Sequence, residues 1–164
     1  MLRRTFLSTA LALTATPAWA QQSTTPTTPA PPQQPDLEPY EPANALERTF
    51  AAAFTNESLR PAFRRAFLDS PVVLALASNA AGAPPLFRPL RGQDRAAFVF
   101  TSAALFERRF GASAPHATLT GRQALERITP NFAAINFGFA PMLVLDPAGV
   151  HDFLALPASP RPAQ

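Results

Sequence analysis

The sequence predicts a small domain of the α/β (α+β) class, a mixed sheet with helices packed on it. Three observations carry this expectation. Apolar residues recur at three- and four-residue steps in several segments, as they do in helices with one buried face. Between those segments lie short apolar runs of strand length, at 71–77, 96–101 and 142–145. Helix-like and strand-like segments follow no regular alternation and nothing repeats, which disfavours a barrel or a doubly wound nucleotide fold.

Residues 1–20 read as a cleavable export signal. Arg3 and Arg4 form its basic end, residues 6–13 its apolar stretch, and Ala18-Trp19-Ala20 its small-x-small cleavage pattern. Arg3-Arg4-Thr5-Phe6-Leu7 is similar to the twin-arginine export signal, although Leu2 and Ser8 depart from it and general secretion stays open as the route. The mature protein is thus expected in the periplasm or outside the cell. Residues 21–42 form a leader in which Pro26, Pro29, Pro31, Pro32, Pro35, Pro39 and Pro42 stand among Gln, Ser and Thr. Its apolar density is too low to offset the entropy of ordering, so it is expected to be an extended spacer.

The domain is expected over 43–156, with a tail at 157–164. Asn44 and Glu47 have capping-box spacing, followed by Leu46, Phe50, Ala53 and Phe54 on one helical face. A second helix starts near Ser58, because Pro61 is tolerated only in a first turn, and stops before Pro71. The run 71–77 suits a buried strand. Residues 86–90 and 96–101 read as a hairpin, with Pro89 placing its first arm at an edge and both faces of 96–101 apolar, as in a central strand.

Ser102 or Thr101 caps a helix over 103–110 that Gly111 ends. Residues 112–119 are a loop or hold a short edge strand at 117–119. Thr120 and Gln123 form a second capping box before a helix that ends ahead of Pro130. Residues 132–139 are ambiguous, with Gly138 marking a bulge or bend. Residues 142–145 are a strand, 146–149 a turn with Pro147 at its second position, and 150–156 a strand or short helix.

Composition narrows the function classes. The chain has 164 residues, 14 basic, all arginine, and 11 acidic. Loss of Arg3 and Arg4 with the signal leaves 12 against 11, a net charge of +1, so the high isoelectric point does not argue for nucleic acid. No cysteine is present, which excludes disulfides, thiolate catalysis and a lipobox anchor. Past the signal, no apolar run is long enough to span a membrane.

Four stretches carry a family resemblance. Residues 64–73, Arg-Arg-Ala-Phe-Leu-Asp-Ser-Pro-Val-Val, join a helix to a strand through a short loop. Ala97-Phe98-Val99-Phe100-Thr101-Ser102 leads an apolar strand into a helix, Leu119-Thr120-Gly121-Arg122-Gln123-Ala124-Leu125 opens the next, and Leu143-Val144-Leu145-Asp146-Pro147-Ala148-Gly149 ends a strand. Together these resemble the N-terminal domain of the SseB family over 46–153. Asp146 stands where the family has asparagine, Ala148 is inserted before Gly149, and family members are generally cytoplasmic. The resemblance implies an SseB-like α/β domain and carries no general reaction, cofactor or catalytic constellation.

Candidate sites are correspondingly few. His116 and His151, with Asp146 and Asp152, lack tight metal-ligand spacing. Ser102 lacks a glycine-flanked nucleophile elbow and reads as a helix cap. Asp94, Glu107, Asp146 and Asp152 are read as solvated or turn carboxylates. Arg60, Arg64 and Arg65 make a basic stripe, extended by Arg108 and Arg109, that suits carboxylate or phosphate. Phe137 and Phe139, beside the expected bulge, are candidates for contact at a sheet edge. The expectation is a non-enzymatic interaction module for a protein or peptide, with no cofactor, metal or catalytic residue assigned and the oligomeric state open. A hydrolase or a small-anion-binding protein is the alternative.

Overall fold

The computed structural model describes residues 37–90 and 94–158. The expected signal at 1–20, the leader up to residue 36, the hairpin tip at 91–93 and the tail from 159 lie outside the described residues. In chain order the elements are β1 (Glu38–Pro39), α1 (Ala45–Thr55), a 3-10 turn (Glu57–Leu59), α2 (Arg60–Asp69), β2 (Pro71–Ala75), β3 (Phe87–Pro89), β4 (Arg95–Phe100) and α3 (Ala103–Phe110). They continue with β5 (His116–Thr120), α4 (Gly121–Ile128), β6 (Phe132–Ile135), β7 (Phe139–Ala140), β8 (Leu143–Leu145) and α5 (Pro147–Leu154).

Local chemistry places the helix ends. Asn44 accepts the Glu47 N–H at 2.8 Å and the Glu47 carboxylate reaches back to the Asn44 N–H, so the capping box before α1 is complete. Asn56 ends α1, accepts the Ser58 N–H at 3.0 Å and starts the 3-10 turn that runs into α2, with Pro61 in the first turn. Ser102 caps α3 by accepting the Leu105 N–H at 3.3 Å, and Gly111 ends it at φ 89°. Thr120 and Gln123 form the second reciprocal box at α4.

Six strands make one mixed sheet in the order β5-β2-β4-β6-β8, with β3 also paired to β4. The β4–β6 pair is parallel and the other pairs are antiparallel. Strand β4 is central, as its two apolar faces predict: Ala97 and Val99 point one way, Ala96, Phe98 and Phe100 the other. Successive residues of β2 and β6 divide in the same way. One face packs against α1, α2, α4 and α5 around Phe50, Phe63, Phe67 and Leu125. The opposite face packs against α3 and Phe139. The result is a small mixed α/β domain. No helix among the described residues is long and apolar enough to cross a membrane.

Four local expectations change. Residues 37–42, assigned to the leader, are held in place: Glu38 N–H donates to Gly138 O at 2.9 Å, β1 pairs in parallel with β7, and Tyr40 meets Phe139 edge-on at 6.1 Å. Residues 146–149 are the start of α5 and no reverse turn, because Asp146 accepts the Gly149 N–H at 2.7 Å and Pro147 occupies a first-turn position. The ambiguous stretch 132–139 divides into β6, a turn in which Asn136 (φ 56°) and Gly138 (φ 90°) take left-handed conformations, and the beginning of β7. The short edge strand at 117–119 lengthens to the five residues of β5, which pair throughout with β2.

Candidate functional site

A groove of about 430 Å³ opens where α1, α2, α5 and β8 meet. Helical spacing supplies its aromatic lining: Phe50 and Phe54 lie one turn apart on α1, and Phe63 follows Arg60 by one turn on α2. Phe50 and Phe63 stack at 4.7 Å, and Phe153 of α5 closes on Phe63 edge-on at 6.3 Å. Leu143 and Leu145, alternate residues of β8, add an aliphatic wall. Phe54 stands at the mouth, 58% exposed.

Two of the three arginines expected on α2 reach this groove. Arg64 lies over the Phe153 ring at 5.1 Å and donates from Nη2 to the Asp152 carbonyl, clamping α2 to α5. Its buried Nε has no hydrogen-bond partner among the described residues. Arg60 pairs with Glu57 at 2.8 Å at the exposed rim. Arg65 is exposed and is not among the lining residues. The lining contains these two guanidiniums and no carboxylate, with Glu57 ion-paired to Arg60 at the rim.

Arg108 and Arg109 do not extend the stripe, because α3 covers the opposite face of the sheet from α2. Arg108 lies over Phe139 at 5.0 Å and pairs with Glu38, while Arg109 lies over Phe137 at 5.1 Å. The expected edge contact is corrected at Phe139, whereas Phe137 is half-buried. Phe139 is 1% exposed in the core, since β1 covers β7, and Phe137 packs on Phe98 at 4.6 Å.

The remaining polar candidates do not converge. His116 sits on β5 at one edge of the sheet, with its ring 4.8 Å from Phe106 and Nδ1 2.9 Å from Ala114 O. His151 is exposed on α5, which packs on β6 and β8 toward the other edge. Among the described residues no group of three or more His, Asp or Glu side chains is placed to hold a metal.

A buried polar network was not legible in the sequence. Asn136 Oδ1 accepts the Thr101 N–H at 2.9 Å, and Asn136 Nδ2 donates to the Thr101 hydroxyl and to Tyr40 Oη, each at 3.0 Å. The Thr101 hydroxyl lies 3.4 Å from Glu47 Oε1, and Glu47, only 1% exposed, accepts the Ala43 N–H at 2.7 Å. Asn44 Nδ2 donates to Thr101 O at 3.2 Å. Burial pushes the Tyr40 phenol up to about 12; the Asn136 amide works against the rise and the Glu47 charge adds to it. The only sequence signals were the Asn-x-Gly at 136–138 and the capping box, and neither reveals that the two meet.

No family model, curated protein or solved structure matches the chain.

Proposed function

We propose that this domain is a non-enzymatic interaction module that binds a protein or peptide segment in the groove between α1, α2, α5 and β8, acting in the periplasm after removal of residues 1–20. One observation supports the reading above others: the groove is lined by four phenylalanines and two leucines with two arginines and no acid. Its size falls within the roughly 300–1,000 Å³ of sites that enclose small ligands or anchoring side chains. Large rings give contact area with little loss of rotamer freedom, and the arginines supply direction and charge. Kinship with the SseB N-terminal domain is part of the same proposal. It rests on the sequence stretches at 64–73, 97–102, 119–125 and 143–149.

The test is a selection of displayed random peptides against the full chain, counter-selected against Phe54→Asp. Phe54 is mostly exposed, so the variant keeps its fold, as thermal melting will verify. Peptides that enrich on the wild type and lose binding to Phe54→Asp support the groove. Enrichment that is the same on both proteins, or none at all, overturns it.

A further inference from the structure

We infer that the occupant of this groove is an amphipathic helix of a partner protein, with apolar residues on the face that enters the groove and carboxylates flanking it. The inference rests on the binding reading above and specifies its partner. Two features of the site lead to it.

The first is charge. Arg60 and Arg64 are one helical turn apart on α2, a spacing that matches carboxylates one turn apart on an opposing helix. Among the described residues Arg60 is held only by Glu57, across a pair whose side chains are 59% and 81% exposed. So exposed a pair contributes little and exchanges readily with a carboxylate brought by a partner. The Arg64 guanidinium is already oriented by the Phe153 ring and the Asp152 carbonyl, which reduces the entropy lost when it meets an acid.

The second is backbone geometry. A strand-forming peptide would have to add to the edge of β8, yet β8 has three residues and lies between Pro141 and Pro147. Short, proline-flanked edges support little ladder hydrogen bonding. The groove therefore has to hold its occupant through side chains. A helix that places apolar anchors at i, i+3, i+4 and i+7 into a hydrophobic groove meets that requirement.

The experiment uses three acetylated, amidated peptides of roughly 22 residues, past the roughly 12–15 residues below which an isolated helix is marginal in water. One carries leucine and phenylalanine at i, i+3, i+4 and i+7 with glutamate at its flanks. The second has lysine in place of glutamate. The third has the composition of the first in alternating apolar and acidic order, a pattern for extended structure. By fluorescence anisotropy, each is titrated into the full chain, and into Phe54→Asp and the double variant Arg60→Glu with Arg64→Gln, whose fold is checked by thermal melting.

The glutamate helix should bind, the lysine helix should bind roughly tenfold or more weakly, and the double variant should erase or reverse that preference. Phe54→Asp should abolish binding of the glutamate helix. Equal binding of the glutamate and lysine helices, or equal binding of the alternating peptide, overturns the inference. If displayed peptides depend on Phe54 while the glutamate helix does not bind, the helical occupant is wrong and the groove remains. If neither depends on Phe54, both readings fall.

Discussion

The side-chain carbonyl of Asn136 accepts the backbone N–H of Thr101 at 2.9 Å, joining the turn after β6 to the end of β4 in the interior. The amide of the same side chain donates to Tyr40, so three separate parts of the chain meet at one residue. Asn136 also has φ 56°, a conformation asparagine tolerates better than most residues. Replacing Asn136 by alanine strands a buried backbone donor and adds left-handed strain. The expected loss is about 2–4 kcal/mol in urea unfolding. A loss under about 0.5 kcal/mol would show that the network does not hold the fold.

Tyr40 makes that network sensitive to high pH. The phenol titrates near 10.0 when free of the fold and is raised to about 12 within it. Between those values the folded protein keeps a proton that the unfolded chain has released. The stability from Tyr40 is therefore complete below about pH 10 and is lost as pH climbs toward 12. Melting temperature should fall over that window in the wild type and fall less steeply in Tyr40→Phe. Identical slopes would assign the alkaline loss to other groups.

Gly121 opens α4 against the last turn of α2. A Cβ built there would lie 2.0 Å from the Phe67 carbonyl oxygen, and the Gly121 N–H donates to Ser70 O at 3.0 Å. Backbone cannot yield as a flexible side chain does, so Gly121→Ala should destabilise by about 3 kcal/mol, the upper end of ordinary overpacking. Chemical denaturation measures it, and a neutral substitution would mean that α2 and α4 separate at low cost.

Phe50 and Phe54 separate packing from surface in the groove. Phe50 is 2% exposed and stacks on Phe63, whereas Phe54 is mostly exposed. Phe50→Ala should cost about 3–5 kcal/mol and Phe54→Ala no more than about 1 kcal/mol. Comparable losses at both positions would make Phe54 part of the core and remove it from any binding role.

The helix ends were legible because their chemistry is local. Asn44 with Glu47, and Thr120 with Gln123, lie three residues apart, and the two sides of each box meet whatever the rest of the chain does. Apolar character on both faces likewise marked residues 96–101 as a central strand. The start of α5 escapes a sequence reading although its signal is equally local. Aspartate before proline serves a turn or a helix N-terminus, and the burial of Val150 and Phe153 against the sheet selects the helix.

What the sequence determined by itself is helices α1 to α4, the caps of α1, α3 and α4, the strands β2, β4 and β8, and the alternation that gives the sheet two buried faces, all of which depend on neighbours within one turn or one strand. Only the tertiary structure decided which arginines share a surface, that Glu47 is enclosed, and that Tyr40 belongs to the domain. Those outcomes depend on strand order and on contacts such as Thr101 with Asn136 and Tyr40 with Asn136, 35 and 96 residues apart. No residue type or spacing encodes such a meeting until the parallel β4–β6 pair and the layers on either face bring the segments together.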